Sequence, residues 1–379
     1  MTQTPDLFAD LMPNIGAKTR SAESAAYSNN LLTSIELFAG AGGLALGLEE
    51  AGFSHVLLNE KDKWACQTLR HNRPHWQVAE QPIETLDFNP YYGRIDLVTG
   101  GFPCQAFSYA GNKGGFEDTR GTLFFEFARA VSEIQPKMLL GENVRGLLNH
   151  DGGKTLATIQ QAIHDVGYHL LKPTVLHAKY FRVPQKRERL ILIAIRQDLV
   201  NDIDFVWPMP EAAEYTLADG LKKGRLYDCD VPPSQGQVYP AHKKAVMDLV
   251  PSGGYWRDLP DDIARAYMKK SYFLGGGKTG LARRLAWDEP SLTLTCSPAQ
   301  NQTERCHPDE TRPLTVREYA RIQTFPDNWQ FCGSMTQQYK QIGNAVPVNL
   351  AYALGKSLYQ ALIKTKNKKD LIGGIKSFG

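Results

Sequence analysis

The sequence predicts an α/β protein in which a mostly parallel, doubly wound sheet is joined to a second, smaller and irregular domain. Apolar, strand-like runs alternate with amphipathic helical patterns from Ser34 to Arg196. This alternation is typical of a parallel sheet covered by helices on both faces. Three of the runs end in a glycine turn, a proline–cysteine turn or an acid, at the sheet edge where open α/β proteins bind ligands. After about Asn201 the periodicity is lost, and proline, glycine and tyrosine become frequent.

The individual elements follow from the spacing of apolar residues. The predicted strands are Ser34–Ala39, His55–Asn59, Ile95–Thr99, Met138–Glu142, Leu170–Leu176 and Leu190–Ile195. The predicted helices lie at 118–136, 154–167, 315–323 and 347–362. Gly167 is placed to cap the second helix, and Thr315 with Glu318 forms a capping box at the start of the third.

Composition narrows the class of protein. Of the 379 residues, 42% are hydrophobic and 22% are charged, as in ordinary soluble globular proteins, and no run approaches the roughly 20 apolar residues that span a bilayer. Residues 1–30 lack the basic and apolar regions of a secretory signal. The six cysteines form no CxxC pair, which argues against a zinc site or a disulfide framework. We therefore expect a cytoplasmic protein with no membrane association and no bound metal.

Basic and aromatic residues are interleaved in the middle of the chain, between residues 204 and 311. The net charge of the whole chain is only +3, so its distribution matters more than its size. One interpretation is the solvated surface of an irregular domain, since charge runs usually face water. The other is a nucleic-acid-binding face, because lysine and arginine contact phosphates. Composition alone leaves both open.

The segment from Phe38 to Gly43 (Phe-Ala-Gly-Ala-Gly-Gly) lies between a predicted strand and a helical pattern. Glycines in such a turn let the backbone approach a ligand closely, although a tight turn without a ligand has the same composition. The next predicted strand is followed by Glu60, and an acid at that place commonly binds ribose hydroxyls. Together the two features favour an adenosine-containing cofactor without a pyrophosphate, such as S-adenosylmethionine.

Cys104 follows Pro103 just after the third predicted strand. An isolated cysteine is most often a buried structural residue. Here Pro103 stiffens the turn, and the polar side chains of Gln105 and Ser108 flank the thiol. The glycine-rich segment 109–121 has the composition of a mobile loop that closes over a site. A thiol that is closed off from water in this way can carry out covalent catalysis.

Glu142 ends the fourth predicted strand, in Gly-Glu-Asn-Val. It is either a surface or helix-terminal acid or, in a cleft, a group that protonates a ring nitrogen. Arg187 and Arg189 lie in Gln-Lys-Arg-Glu-Arg, before the last predicted strand. That segment is either a charged turn or a pair of arginines on one face of an extended chain, suited to a base edge or a phosphate.

Taken in order, these segments resemble the C5-specific DNA cytosine methyltransferases, in particular the bacterial modification enzymes, from about residue 34 to 358. The resemblance implies a Rossmann-like S-adenosylmethionine-dependent methyltransferase fold with a target-recognition domain. It also implies that Cys104 attacks C6 of a flipped-out cytosine and that Glu142 protonates N3, with Arg187 and Arg189 near the target base. The expected partner is double-stranded DNA, bound by a monomer in the bacterial cytoplasm or nucleoid.

The resemblance implies ligand contacts at further positions. Those expected to bind the cofactor are Phe38, Ala39, Gly40, Gly42, Gly43, Glu60, Phe102, Leu123 and Asn344. Those expected to contact DNA are Gln105, Ser108, Arg120, Thr293 and Thr295. The stretch 291–295 is equally well interpreted as a plain strand. The family often has an aspartate before an isoleucine that contacts the adenine. Here Pro82 precedes Ile83, so either Glu84 or Asp87 substitutes, or the contact is missing.

The sequence is thereby divided into four regions. The predicted regions are a flexible N-terminal extension at 1–30, a catalytic and cofactor-binding domain at 31–203, a target-recognition domain at 204–336, and a segment at 337–379 that returns to the catalytic domain and ends in a basic tail.

Three other functions share some of these features. A tRNA cytosine methyltransferase has the same fold and motifs, although the long middle region and Gly-Phe-Pro-Cys-Gln favour DNA. A non-catalytic DNA-binding regulator would not need an intact Cys104 and Glu142. A Rossmann oxidoreductase is expected to carry a GxGxxG motif, which the turn at 38–43 does not form.

Overall fold

The structure is a computed structural model that describes residues 31–103, 123–273, 280–300 and 302–376, with side chains up to Thr365. Ten strands lie in these ranges. They are β1 Leu32–Leu37, β2 Phe53–Glu60, β3 Val78–Glu80, β4 Leu97–Gly100, β5 Met138–Val144, β6 Tyr168–Leu170, β7 Thr174–His177, β8 Gln185–Lys186, β9 Glu188–Arg196 and β10 Ser291–Leu292. Eight of them form the central sheet in the order β3-β2-β1-β4-β5-β9-β6, with β7 also paired to β9.

The central sheet is mostly parallel, as predicted. Strands β1 to β5 run parallel to one another, whereas β9 runs antiparallel to β5, β6 and β7. The chain moves outward from β1 through β2 to β3, and then returns to place β4 on the other side of β1. Strands β1 and β4 therefore flank the point where the strand order reverses, which is where open α/β sheets form a ligand crevice.

Two differences from the predicted strands have local causes. The predicted strand Leu170–Leu176 is two strands, β6 and β7, because Pro173 has no N–H for the ladder and interrupts the pairing with β9. The short edge strand β3 was not predicted. Its three residues pair with Leu58, Asn59 and Glu60 of β2, and a run of this length carries too little periodicity to be identified in the sequence.

Ten α-helices lie in the described ranges. They are α1 Gly43–Ala51, α2 Lys63–Asn72, α3 Leu123–Ile134, α4 Lys154–Asp165, α5 Leu217–Leu221, α6 Ala241–Met247, α7 Asp261–Met268, α8 Val316–Ile322, α9 Met335–Asn344 and α10 Val348–Lys376. The capping box of Thr315 and Glu318 begins α8 as predicted. Helix α10 continues past the predicted end at 362 to Lys376, through a lysine-rich stretch that has no apolar stripe to indicate a helix.

The C-terminal helix α10 packs on α1, the helix that follows the first strand. Gly47 of α1 and Gly355 of α10 lie at this contact, and a Cβ atom on Gly355 would be 2.7 Å from the Cβ of Ala51. Buried residues of α10, including Leu350, Leu354 and Leu358, share one core with β1, β5 and β9. The last segment of the chain is thus part of the main domain's core.

The region after Ile203 builds a smaller core of its own. Its buried members are Tyr239, Met247, Val250, Trp256, Leu259, Ala264, Met268, Ala282 and Cys306. Helices α8 and α9 instead share a buried cluster with α1, β2 and α2. The division of the chain into four regions stays a prediction. Among the described residues, no helix is long and apolar enough to cross a membrane.

Candidate active site

The turn between β1 and α1 is held by a carboxylate from the next strand. The Gly40 N–H donates to Oε2 of Glu60 over 2.8 Å, and Oε1 of Glu60 accepts from the backbone N–H groups of Lys61 and Asp62, each at 2.8 Å. Gly40 has a φ of +55°, a left-handed conformation that favours glycine. The space beside the Gly40 Cα atom is open, because a Cβ atom there would meet no atom of the described residues within 4 Å.

The other residues of the turn join it to its surroundings. Phe38 follows β1 with a φ of +58° and a half-buried ring, and the Ala39 N–H donates to the Asn59 carbonyl over 3.0 Å. Gly42 begins α1. A Cβ atom on Gly43 would lie 2.2 Å from the carbonyl oxygen of Val346, so only glycine permits this approach of the segment after α9.

Residues of three neighbouring strands lie at one level, near the carboxyl ends of those strands. Leu37 of β1 pairs with Gly100 of β4, and Gly100 pairs with Gly141 of β5. The next residues along these strands are therefore Phe38, Gly101 and Glu142. A Cβ atom on Gly101 would lie 3.0 Å from Oε2 of Glu142. The predicted acid thus lies beside the backbone that leads to residue 104.

Glu142 is paired with Arg189 across two antiparallel strands, β5 and β9. The Arg189 Nε lies 2.6 Å from Oε1 of Glu142, and the two side chains are 12% and 13% exposed. The other end of the Arg189 guanidinium donates to its neighbour's backbone, the Glu188 carbonyl, over 2.7 Å. This ion pair fixes the direction of the Glu142 carboxylate, and both side chains remain partly exposed to solvent.

Arg187 and Arg189 differ in their surroundings, because Arg187 is buried and Arg189 is partly exposed. The chain bends between β8 and β9, and Arg187 is 1% exposed. Its guanidinium donates to the carbonyl of Leu294 over 3.3 Å and to that of Gly343 over 3.0 Å. Burial, together with the nearby positive charge of Arg189, lowers the pKa of Arg187 to about 9. In this position Arg187 joins three chain segments, and its role near the target base stays a prediction.

Phe102 also lies away from the cleft. Its ring is 2% exposed and packs edge-on against Phe124, with the ring centroids 5.1 Å apart. The Phe102 carbonyl accepts a hydrogen bond from the Asn143 side-chain N–H over 2.8 Å. The structure therefore places Phe102 as a core residue that fastens the segment before Cys104 to β5, and its contact with the cofactor stays a prediction.

Asn344 and Thr295 lie where the end of α9 contacts the segment that follows β10. Asn344 is the exposed last residue of α9, and its Oδ1 accepts from the Cys296 thiol over 3.3 Å. A Cβ atom on Gly343 would be 2.2 Å from the Thr295 carbonyl oxygen. The Thr293 hydroxyl donates to the Lys186 carbonyl over 2.7 Å. Only Ser291 and Leu292 of the stretch 291–295 form a strand, β10, which pairs with β8, and the DNA contacts expected of Thr293 and Thr295 stay predictions.

The C-5 cytosine-specific DNA methylase family matches residues 32–360 of this chain. The chain belongs to that family. It is 64% identical over 351 residues to the type II methyltransferase M.Eco47II of Escherichia coli, covering 93% of this chain and 84% of the relative. The type II methyltransferase M.PspPI of Psychrobacter sp. (strain TA137) is 63% identical over 328 residues, covering 86% and 79%.

Among solved structures, the S. pombe Dnmt2 methyltransferase has a similar fold. The TM-score is 0.60 at 18% sequence identity, and the match covers 87% of this chain and 99% of the other. The predicted fold, family and enzyme class are confirmed: the chain is a DNA (cytosine-5) methyltransferase.

Of the remaining predicted site residues of this methylase, the structure describes Leu123 but not four others. Leu123 is the half-buried first residue of α3 and packs against the core that contains Phe102. Four predicted residues lie outside the described part of the chain: Cys104, Gln105, Ser108 and Arg120. Their roles stay predictions.

Pro82 stands where the family often has an aspartate that contacts the adenine, and two acids, Glu84 and Asp87, lie nearby. The carboxylate of Asp87 accepts from the backbone and side-chain N–H groups of Asn89, at 3.0 and 2.8 Å, so it caps its own turn. Glu84 is exposed on a short 3-10 turn. The Gln81 carbonyl, which directly follows β3, accepts from the side chain of Asn59 over 2.8 Å. A substitute contact to the adenine stays a prediction.

Two buried glutamines support the site: Gln185, which begins the Gln-Lys-Arg-Glu-Arg segment, and Gln323, which lies outside the predicted site residues. The side-chain N–H of Gln185 donates to Oε1 of Gln323 over 2.9 Å, and its Oε1 accepts from the Leu294 N–H over 2.9 Å. Gln323 in turn donates to the carbonyls of Ile342 and Ala345, at 2.8 and 3.0 Å. These side-chain hydrogen bonds join β8, the segment just after β10 and the end of α9, next to Arg187.

Proposed function

We propose that this family member transfers a methyl group from S-adenosylmethionine to C5 of a cytosine flipped out of double-stranded DNA. The arrangement at the carboxyl ends of β1, β4 and β5 carries the proposal. There the glycine turn, the backbone of Gly101 and the Glu142–Arg189 pair start at one level of the sheet. A cofactor, a nucleophile and an acid would then face one crevice.

The residues of the turn fit S-adenosylmethionine. The space beside Gly40 is open, and the carboxylate of Glu60 lies next to it with lone pairs left for ribose hydroxyls. The half-buried ring of Phe38 offers a flat apolar surface for the adenine. When bound, S-adenosylmethionine supplies the electrophilic methyl group that C5 of cytosine receives.

Cys104 makes C5 nucleophilic. The thiolate adds to C6, the electron pair of the C5–C6 double bond moves to form a C4–C5 double bond, and the C4–N3 pair moves onto N3, which Glu142 protonates. C5 is then the carbon of an enamine. After C5 has taken the methyl group, Glu142 takes back the proton from N3. Water removes the proton from C5, the C5–C6 double bond forms again, and the sulfur leaves C6 as the thiolate that it was at the start.

The ion pair has a positioning role in this chemistry. Arg189 holds the Glu142 carboxylate in one orientation at 2.6 Å, and its partly exposed guanidinium is placed to contact O2 of the flipped base. A fixed donor and acceptor that need no reorganisation stabilise developing charge better than solvent does. Because C6 is unreachable in stacked DNA, the target base must leave the duplex.

The small domain and the close relatives extend the proposal to biological role. We propose that the region 204–336 selects the DNA sequence and that the C-terminal segment completes the catalytic domain. The two relatives are named type II methyltransferases. The chain would likewise protect DNA in a restriction–modification system, acting as a monomer in the bacterial cytoplasm.

A transfer assay with tritiated S-adenosylmethionine tests the proposal. Wild type, Cys104→Ser and Cys296→Ser are incubated with duplex DNA and, separately, with tRNA; Cys296 is an exposed cysteine beside Asn344 and serves as the matched control. We expect label in DNA as 5-methylcytosine with wild type and Cys296→Ser, and none with Cys104→Ser. Label in tRNA alone, or loss of activity only in Cys296→Ser, would overturn the assignment.

A further inference from the structure

A loop of the small domain begins at the edge of the active site. The structure describes residues 297–300, 302 and 303 of this loop, called the 297–303 loop. The loop follows Thr295, whose carbonyl rests against Gly343, and Cys296, whose thiol donates to Asn344. Gln300 and Gln302 on the loop are exposed. A glutamine amide carries both a donor and an acceptor, which is the pairing that reads a base edge in the major groove.

The two ends of the 297–303 loop are fastened to each other. The hydroxyls of Thr295 and Thr303 are 3.0 Å apart and share a hydrogen bond. The Arg305 N–H donates to the Pro298 carbonyl over 2.9 Å, and the Thr303 N–H donates to the Gln300 carbonyl over 3.0 Å. These bonds set the width of the loop, but they do not set its orientation relative to the rest of the small domain.

A buried ion pair joins the loop to helix α6. Lys243 Nζ lies 2.5 Å from Oε1 of Glu304, and the two side chains are 8% and 0% exposed. Lys243 also donates to the Ala299 carbonyl in the middle of the loop, over 3.0 Å. The second oxygen of Glu304 accepts from the Ala282 N–H over 2.9 Å and from the Tyr267 hydroxyl over 3.4 Å. Both the middle and the end of the loop are therefore tied to one charged centre.

Stability alone does not account for such a pair. The cost of desolvating two charges often exceeds their attraction, and an apolar replacement of similar volume is frequently neutral or stabilising. Burial in fact raises the pKa of Glu304, although Lys243 opposes the shift. What an apolar pair cannot reproduce is the directional bond from Lys243 to the Ala299 carbonyl, which fixes where the loop lies.

We propose that Lys243 and Glu304 are positioning residues that hold the 297–303 loop against the target DNA, and that this loop contributes to the choice of DNA sequence. The inference rests on the proposed function, because it assumes that the cleft beside Thr295 receives DNA. It assigns to a buried ion pair in the small domain a role in selectivity that neither residue performs by touching the DNA.

The test separates positioning from folding. Wild type, Lys243→Met, the double variant Lys243→Met/Glu304→Leu and the control Lys244→Met are compared; Lys244 is the adjacent residue on α6, paired with Asp248 at the surface. Each protein methylates a duplex library of random sequence, and sequencing after bisulfite treatment gives the ratio of methylation at preferred and singly altered sites. The thermal midpoint and the affinity for S-adenosylmethionine are measured in parallel.

We expect the ratio to fall by about fivefold or more in Lys243→Met and in the double variant, since one lost base contact has roughly that effect. The thermal midpoint of the double variant and the cofactor affinity should stay near those of wild type, and Lys244→Met should be unchanged throughout. A folded double variant with wild-type selectivity would overturn the inference. A wild type that methylates no DNA would instead refute the proposed function.

A second variant leaves the buried pair intact. Gln300→Ala/Gln302→Ala removes two exposed amides, so its folding is not at risk. We expect selectivity to relax at the same base positions as in Lys243→Met. Unchanged selectivity would show that the loop does not read DNA, and the inference would fail even if the ion-pair variants proved too unstable to assay.

Discussion

Gly47→Ala is expected to destabilise the protein even though alanine is the better helix former. In an open helix this change gains roughly 1 kcal/mol. Here the new Cβ atom would lie 2.5 Å from the Cβ of Ala351, 2.6 Å from the backbone nitrogen of Tyr352 and 2.6 Å from the carbonyl oxygen of Val348. Two of these atoms are backbone and cannot rotate away, so α10 must move from α1 by about 1 Å to restore ordinary contact.

Overpacking of this kind costs roughly 1–3 kcal/mol, and occasionally more. Because backbone atoms must shift here, we expect a cost near the upper end, about 3 kcal/mol, and a net loss of about 2 kcal/mol in the free energy of unfolding after the helix-propensity gain is subtracted. Urea unfolding of Gly47→Ala would be compared with Gly146→Ala, where a Cβ atom meets no described atom within 4 Å. A gain in stability for Gly47→Ala would refute the packing of the C-terminal helix on α1.

Three further predictions concern the core and the site. Burial lowers the pKa of His55, so below about pH 6.5 the unfolded chain binds a proton that the folded chain resists. Stability to urea should fall as pH falls toward 5, and His55→Gln should flatten that slope. Gly343→Ala would place a Cβ atom 2.2 Å from the Thr295 carbonyl oxygen, so DNA methylation should fall at least about tenfold in a filter-binding transfer assay. Asn143→Ala leaves the buried Phe102 carbonyl without its donor, and thermal unfolding should show a loss of about 1–3 kcal/mol.

The parts of the site that the sequence predicts are those set by local chain order. Phe38, Glu60 and Glu142 each stand at the end of an apolar run, and parallel strands present their carboxyl ends at the same edge. The order of the runs was therefore enough to place these residues together. The register Leu37–Gly100–Gly141 adds the common level, which depends on strand pairing and not on any single segment.

The parts that the sequence does not predict depend on contacts between distant segments. Spacing alone does not distinguish Arg187 from Arg189, but Arg187 is buried and donates to carbonyl partners 107 and 156 residues away. Gln323 has partners from β8 and from the end of α9, and nothing in its own segment distinguishes it from a surface glutamine. The break at Pro173 is different in kind, because a proline within an apolar run already argues against a continuous strand.

The most direct test of the central claim is to trap the cysteine on its target. Duplex DNA that contains 5-fluorocytosine is incubated with the protein and S-adenosylmethionine, and peptides attached to DNA are identified by mass spectrometry. Fluorine cannot leave C5 as a cation, so the sulfur stays bonded to C6 after methylation. We expect one covalent adduct, on Cys104. An adduct on Cys296, or normal methylation of unmodified DNA without any adduct on the fluorinated duplex, would contradict it.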